Sequence, residues 1–150
     1  MTLGQYRKRR NFSKSPEPKS NAAIKENTSR SPIFVVQEHH ASHLHYDFRL
    51  EIGGVLKSWA VPKGVPLSGE KRLAIQTEDH PIEYAKFHGT IPEGLYGAGV
   101  VKIWDSGKFV PESVHKDKIV FELRGKKLKG KYVLIKTKFA KNSWLLFRKK

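Results

Sequence analysis

Apolar and polar residues alternate in short runs along most of the chain, and turn residues separate the runs. The clearest run is Leu44–Ile52, in which Leu44, Tyr46, Phe48 and Leu50 fall on one face of an extended strand. A period of two is typical of a strand with one buried face. We therefore expect these four side chains to lie in the core and the residues between them to face outward.

Similar runs recur through the sequence, and each of them predicts a strand. Gly53-Gly54 joins two runs and indicates a two-residue hairpin, and His80–His88 indicates one short helical stretch. The predicted strands are Ile33–Glu38, Leu44–Ile52, Val55–Val61, Arg72–Thr77, Val100–Trp104, Lys118–Arg124, Lys131–Thr137 and Ser143–Arg148. Many short strands without a long helix predict a mainly β fold, either a sandwich or a closed or nearly closed β-barrel with one or two short helices.

The first 31 residues have a different composition. They combine Arg and Lys clusters, Ser, Asn and Pro16-Glu17-Pro18 with few apolar residues, which is typical of a mobile segment. We expect a basic N-terminal arm at 1–31 and one folded domain at 32–150.

The charge of +15 is concentrated at the two ends of the chain. Residues 1–30 carry eight Lys/Arg and two Glu, and residues 115–150 carry thirteen Lys/Arg and two acidic residues. The middle holds six of the seven histidines. This distribution favours a polyanion that is held by the periphery and processed in the centre, although charge alone also fits simple solubility or RNA contact.

Cysteine and hydropathy exclude several other classes of protein. The chain has no cysteine, so it has neither a disulfide framework nor a thiolate zinc site. No apolar run approaches the roughly 18 residues of a membrane span, and the charged N-terminus does not resemble a signal peptide. We expect a cytoplasmic protein with no membrane partner and, in the absence of any oligomerisation signal, a monomer.

The polar face of the Leu44–Ile52 run carries the candidate chemistry. His45, Asp47 and Arg49 lie on it in a row, and His39 would fold back beside them across a turn. Two imidazoles and a carboxylate suit a divalent metal, and a guanidinium suits a phosphate. The alternative is a chance cluster on a solvated strand. The pattern does not choose between Mn²⁺, Zn²⁺ and Fe²⁺, and His40 and His43 are interpreted as bystanders.

Other groups are more ambiguous. His80 and Tyr84 would share one face of a helical turn, or they belong to a structural turn at Pro81. Lys63 and Arg72 could project toward a phosphate or be solvated. Three further aromatic residues have two interpretations each. Tyr96, in the glycine-rich segment Ile91–Gly99, is either a stacking ring or an ordinary loop residue. Trp144 and Phe147 belong either to a nucleic-acid-binding face or to the core of the last strand.

Several ordered motifs of this chain resemble one known family. The sequence resembles the 3′-phosphoesterase domain of bacterial DNA ligase D, over about residues 6–148. The motifs that carry the resemblance are Phe34–His39, Leu44–Glu51, Leu56–Gly64, Glu78–Tyr84 and Ile91–Gly99.

The resemblance implies a Mn²⁺-dependent enzyme with a β-barrel fold and an active site in a groove; Co²⁺ or Zn²⁺ are other metals for such a site. Members remove a 3′-terminal ribonucleoside and then the 3′-phosphate, leaving a 3′-OH. The matched metal ligands are His39, His45 and Asp47. The matched phosphate-contacting residues are Arg10, Arg49, His80, Lys63 and Arg72. Further positions matched as important for activity are Gln37, Tyr84 and Glu17, and the arm is implied to order over the groove.

The sequence therefore predicts a metal-dependent 3′-end-healing phosphoesterase that acts on a DNA or RNA/DNA primer-template. A DNA ligase, a polymerase and Ku-type end-joining proteins are the expected partners. The alternatives are a non-catalytic basic module that binds nucleic-acid ends and a metal hydrolase of small phosphoesters. Asn11 departs from the family pattern, where Asp is usual, so the balance of the diesterase and monoesterase steps is left open.

Overall fold

A computed structural model describes residues 3–18 and 31–149 of the chain. It contains one α-helix, α1 (Leu3–Lys8), and a short 3-10 helix, Ile82–Lys86. The strands are β1 (Ile33–His40), β2 (Leu44–Ile52), β3 (Val55–Val61), β4 (Arg72–Gln76), β5 (Gly89–Ile91), β6 (Gly99–Val114), β7 (Lys118–Arg124), β8 (Lys129–Lys136) and β9 (Ser143–Arg148).

The strands form a closed antiparallel barrel, which confirms the predicted fold. Its order is β1-β2-β3-β4-β9-β8-β7-β6, and pairing of β1 with β6 closes the ring. The short β5 adds to β6 outside this ring. Gly53 and Gly54 connect β2 to β3 with φ values of 64° and 82°, as a type I′ hairpin turn requires.

Alternation along β2 places its apolar residues in the barrel interior, with one exception. Phe48 and Leu50 are fully buried in the interior cluster, and Tyr46 packs against that cluster. The prediction for Leu44 is wrong, because its side chain is 48% exposed. Leu44 is the first residue of β2 and pairs with His40 at the end of β1, so it lies at the rim rather than over the core.

Two other features of the strands differ from the sequence prediction. β6 extends to Val114, far beyond the predicted end at Trp104, and β5 was not predicted. In β9, Trp144 is buried in the interior cluster, whereas Phe147 is only partly buried, with the Lys71 ammonium 5.5 Å from its ring centre.

The beginning of the N-terminal arm is packed against the barrel. Tyr6 is fully buried in a second apolar cluster, outside the barrel, that also contains Val35, Leu56 and Tyr84. Its hydroxyl donates a hydrogen bond to the Pro18 carbonyl. Composition predicted a mobile segment, but for residues 3–18 this buried aromatic ring overrides the polar composition. Residues 19–30 lie outside the described part, so the boundary at 31 stays a prediction.

Within the described ranges, no helix is long and apolar enough to cross a lipid bilayer.

Candidate metal and phosphate site

A cavity of about 270 Å³ opens on the outer face of β1 and β2. This volume is close to the lower bound of about 300 Å³ for small-molecule sites. Its walls come from these two strands and β3, the N-terminal segment, the 3-10 helix and its preceding loop, and the end of β5 with the segment after it. Ten of the residues that line it bear on the chemistry: Arg10, Glu17, His39, His45, Asp47, Arg49, Glu78, His80, Tyr84 and Tyr96.

Three potential metal ligands converge in this cavity. His39 and His45 are direct partners in the β1–β2 register, and their ring centres are 4.8 Å apart. The Asp47 carboxylate lies 3.4 Å from His39 Nδ1 and 3.3 Å from His45 Nε2. One ligand atom from each residue falls within 4.8 Å of the others. The hairpin thus brings together the group that strand parity predicted.

The hydrogen bonds of the two imidazoles test whether a cation fits. His39 Nε2 lies 2.8 Å from the Gly97 carbonyl, and His45 Nδ1 lies 3.1 Å from the His43 carbonyl. Each of these nitrogens must carry a proton to donate to a carbonyl, which leaves the lone pairs of His39 Nδ1 and His45 Nε2 directed toward Asp47. Three acceptors at this separation repel one another unless a metal cation lies between them or one imidazole gains a proton. Backbone carbonyls that orient the far nitrogen are also typical of metal-ligating histidines.

The charge states of Asp47 and His45 agree with such a site. Burial alone would raise the pKa of Asp47, but the Arg49 guanidinium and the contacts of the carboxylate with the His39 and His45 rings outweigh burial and hold the pKa well below its usual range. The hydrogen bond to Asp47 is the main cause that raises the pKa of His45. Asp47 is therefore ionised at neutral pH, and without a metal a proton on His45 supplies the balancing charge.

Arg10, Arg49 and His80, three of the predicted phosphate-contacting residues, lie side by side. His80 Nε2 is 3.3 Å from Arg10 Nη2, and His80 Nδ1 is 3.2 Å from Arg49 Nη1. The Arg49 Nη2 atom is 3.6 Å from Asp47 Oδ2, so this group adjoins the metal ligands directly. The fold thus places two guanidinium groups on either side of one imidazole, next to the three converging ligands.

His80 is held in its neutral form. Burial is the main cause that lowers its pKa well below the usual value, and the positive charges of Arg49 and Arg10 lower it further. Its Nδ1 lies 2.9 Å from the Glu78 carbonyl, so Nδ1 donates there and Nε2 accepts from Arg10. His80 reaches this position through a bridge with Leu56, before the 3-10 helix begins, and its ring still lies 4.7 Å from the Tyr84 ring.

Gln37, Glu17 and Tyr84 hold the arginines in place. The Gln37 side chain accepts from Arg49 Nε at 2.7 Å and donates to the Tyr84 and Phe87 carbonyls. Glu17 accepts from Arg10 Nε and from the Tyr84 hydroxyl, both at 2.8 Å. Gln37 does not line the cavity, so in this geometry it orients Arg49 from behind.

Glu78 is a part of the site that the sequence did not reveal. Its side chain is buried, and its carboxylate accepts from Arg10 at 2.6 Å and from Arg9 at 3.0 Å. Arg9 also donates to the Tyr96 hydroxyl at 2.9 Å. The available signal was the unbroken motif Glu78-Asp79-His80, in which a carboxylate precedes a site histidine by two residues. Gly97, with φ at 76°, likewise directs its carbonyl at His39.

Lys63 and Arg72 are not brought to the cavity. Lys63 is exposed, and the Arg72 guanidinium donates to the carbonyls of Lys63 and Gly64. Asn11 is also exposed, and its side chain accepts from the Ser13 amide at 3.2 Å, forming an Asx-type turn. The roles of Lys63 and Arg72 toward a phosphate stay predictions.

Comparisons with known proteins agree with these motifs. The model of the family described as DNA Ligase D 3′-phosphoesterase domain matches residues 37–136. The multifunctional non-homologous end joining DNA repair protein LigD of Mycobacterium tuberculosis is 50% identical over 153 residues, covering 99% of this chain and 20% of that protein. The LigD proteins of Pseudomonas aeruginosa and Mycolicibacterium smegmatis are 46% and 50% identical, with 99% of this chain and 18% and 20% of theirs covered. This chain spans about a fifth of the length of these relatives, and it belongs to the DNA ligase D 3′-phosphoesterase domain family.

Proposed function

We propose that this protein is a metal-dependent phosphoesterase that heals 3′ ends of nucleic acid. Its substrate would be a DNA or RNA/DNA primer-template that ends in a ribonucleoside or a 3′-phosphate, and its product a 3′-OH. The observation that carries the proposal is the single cavity in which three potential metal ligands adjoin two arginines and a histidine.

The charge of the cavity supports metal dependence. With neutral imidazoles, its lining has two cations, Arg10 and Arg49, and three carboxylates, Asp47, Glu17 and Glu78. The net charge is −1, or zero when His45 carries a proton, so the metal-free cavity does not attract a phosphate. A divalent cation in place of that proton brings the net charge to +1, so metal and phosphate would bind cooperatively. This donor set fits Mn²⁺, and it also fits Co²⁺ or Zn²⁺.

The residues would divide the work as follows. His39, His45 and Asp47 would hold the metal, which supplies Lewis-acid polarisation of a phosphate oxygen. Arg49 and Arg10 would grip the remaining oxygens in paired hydrogen bonds.

The protonation state of His80 would change when the substrate binds. It starts neutral, and a phosphate dianion between the two guanidinium groups would raise its pKa. His80 would then gain a proton on Nε2 and donate it to a developing negative charge or a leaving oxygen.

The relatives suggest the biological setting. They are named as multifunctional non-homologous end joining proteins, so we place this activity in the repair of broken DNA ends, with a ligase, a polymerase and Ku-type proteins as partners. A non-catalytic end-binding module is the rival function. It accounts for the basic ends of the chain, but it gives no reason for two imidazoles and a carboxylate to converge in one cavity.

The test is a 3′-end assay with matched histidine variants. Primer-templates ending in a 3′-phosphate or one ribonucleotide are incubated with and without Mn²⁺, using wild type, His45→Ala and His43→Ala. We expect Mn²⁺-dependent 3′-OH product from wild type and from His43→Ala, whose exposed side chain is lost while its carbonyl partner for His45 remains. His45→Ala should be inactive. If no metal supports product formation, the protein is not this enzyme.

A further inference from the structure

Three cations stand directly before Arg10, the arginine that lines the cavity. Arg7 and Lys8 end helix α1, Arg9 follows it, and all three residues are exposed. No Asp or Glu occurs among residues 1–16. The basic run is therefore not neutralised by its own segment, and what it binds depends on where the fold places it.

Two buried contacts fix this basic run beside the cavity. The Tyr6 ring is fully buried and lies 5.1 Å from the His80 ring. The Arg10 guanidinium packs over the same Tyr6 ring at 4.4 Å. The Arg10 amide donates to the Arg7 carbonyl at 3.3 Å, so the helical turn continues to the cavity. Because three residues span at most about 11 Å of chain, Arg7 and Lys8 are held within that distance of Arg10.

The larger basic region of the chain lies on the opposite side of the barrel. Residues 115–150 carry thirteen Lys/Arg, which belong mainly to β7, β8, β9 and the loops between them. Round the ring, β8 is three steps from β1 and β9 is three steps from β2, so these two strands are opposite the cavity. Facing sheets stand about 10 Å apart, which exceeds the Debye length of about 8 Å at physiological salt. Exposed cations on β8 and β9 therefore contribute little to the binding of a phosphate in the cavity.

We propose that Arg7 and Lys8 bind backbone phosphates of the duplex whose 3′ end occupies the cavity. The exposed lysines of β8, on the opposite side, take no part in holding it. At about 3.4 Å per base pair, the limit of 11 Å and the reach of a long side chain place these contacts within about the first five base pairs. This inference rests on the proposed function and names the surface that holds the rest of its substrate.

The composition of this surface favours the duplex backbone over an unpaired strand. Proteins that hold single strands combine cations with exposed aromatic rings on which bases stack. Tyr6 is buried and Phe12 packs against the same apolar cluster, so neither aromatic ring of this segment is available to a base. In a duplex the bases are paired and stacked, whereas their phosphates stay accessible to Arg and Lys. Contact with phosphates alone does not depend on the base sequence.

Binding is measured first, on a complex that does not turn over. Fluorescence anisotropy of the 3′-OH product primer-template with Mn²⁺ is followed across a salt series. The proteins are wild type, an N-terminal double variant (Arg7→Gln with Lys8→Gln) and a β8 double variant (Lys129→Gln with Lys131→Gln). Lys129 and Lys131 are exposed on β8, so the β8 double variant is the matched control for the loss of two positive charges.

The slope of log Kd against log salt concentration reports the number of phosphate contacts. The N-terminal double variant should reduce this slope by about 1.8, as expected for two lost contacts with duplex phosphates. The β8 double variant should keep the wild-type slope. An unchanged slope for the N-terminal double variant would overturn the proposal, and so would an equal reduction in the β8 double variant.

A charge-preserving variant separates the effect of charge from that of structure. Arg7→Lys with Lys8→Arg retains both cations and should keep the wild-type slope. For the N-terminal double variant, KM on a 3′-phosphate primer-template should rise and kcat should stay at the wild-type value, because Arg10 and the cavity are untouched. A fall in kcat would show that the two substitutions disturb the cavity itself, and the proposal would then be wrong.

Neutral methylphosphonate linkages locate the contacts on the substrate. When the linkages of base pairs two to five are neutral in both strands, wild type and the N-terminal double variant should have the same slope. When base pairs nine to twelve are neutral instead, the difference of about 1.8 should persist. A difference that persists on the first duplex would contradict the placement.

The outcomes distinguish this inference from the proposed function. If wild type hydrolyses no substrate but the slope difference persists, only the proposed function fails. If wild type is active and the N-terminal double variant keeps the wild-type slope, only this inference fails. A wild-type protein that binds no duplex would refute both.

Discussion

Replacement of Gln37 by leucine tests whether the site depends on a buried amide that does not line the cavity. Gln37 is fully buried and links β1 to Arg49 and to the 3-10 helix through three hydrogen bonds. Leucine has a similar size but no polar atom. Gln37→Leu therefore removes the three bonds while preserving most of the packing.

The cost can be worked out bond by bond. The substitution leaves the Tyr84 and Phe87 carbonyls without their donors, which were at 2.8 and 3.0 Å, and Arg49 Nε without its acceptor at 2.7 Å. A neutral hydrogen bond contributes about 1 kcal/mol and one to a charged group about 2 kcal/mol. We expect a loss of about 4 kcal/mol in the free energy of unfolding, a large part of the roughly 5–15 kcal/mol of a typical domain.

Urea unfolding followed by tryptophan fluorescence measures this loss, and a 3′-phosphatase assay measures its effect on Arg49. Gln76→Leu is the matched control, because Gln76 accepts one hydrogen bond, from Trp144 at 3.2 Å, and should lose only about 1 kcal/mol. We expect kcat to fall at least 10-fold for Gln37→Leu, under conditions where the variant is folded, and to be unchanged for the control. The reasoning is wrong if the free energy of unfolding of Gln37→Leu lies within about 0.5 kcal/mol of the wild-type value, the margin seen for neutral surface changes, and its kcat is normal. In that case the three bonds do not position Arg49.

Three further predictions concern charge. Mn²⁺ should raise the melting temperature of wild type, because a Mn²⁺ concentration of 100 times its Kd stabilises the folded state by about 2.7 kcal/mol. Differential scanning fluorimetry measures this shift, which should be much smaller for Asp47→Asn. His80 is buried and neutral with a lowered pKa, so its imidazole gains a proton more readily in the unfolded chain, and the free energy of unfolding falls as the pH drops below about 6.5. Between pH 7.5 and 5.5, the free energy of unfolding should change less for His80→Asn than for wild type. An equal change in both proteins would refute this role of His80. Asn11→Asp should keep the Asx-type turn and the stability, yet raise ribonucleoside removal more than 3′-phosphate removal in an end-labelled assay; equal gains would argue against a role in the diesterase step.

The barrel was predictable because its pattern is local. Alternation in β2 identified which face of Tyr46, Phe48 and Leu50 is buried, and the register of one hairpin then brought His39 next to His45. The convergence of the three potential ligands followed from parity and one turn, both of which are readable in the sequence. Leu44 shows the limit of this argument, since alternation does not indicate where a strand leaves the core.

The N-terminal half of the site was predictable only by resemblance. Arg10 and Glu17 lie in a polar segment whose composition is typical of mobile chain, and their partners are 68 and 67 residues away, in Glu78 and Tyr84. Long-range pairing of this kind leaves no periodicity in the sequence. Glu78 was not predictable for the same reason. In the sequence, an acidic residue before Asp79 and His80 is typical of a solvated turn, and only the fold places two arginines against it.

The structure also explains why the outward face of β2 is not a solvent face. Asp47 and Arg49 alternate with core residues, yet both are less than 10% exposed, because residues 3–18, the 3-10 helix and the segment after β5 cover them. Burial of this charged row is tolerable only if every charge is balanced. Arg10 is balanced by Glu17 and Glu78, whereas the Asp47 carboxylate shares its surroundings with two acceptor nitrogens. Arg49, and a proton on His45 when no metal is bound, offset the Asp47 charge in this covered layer, and a divalent cation would take the place of that proton.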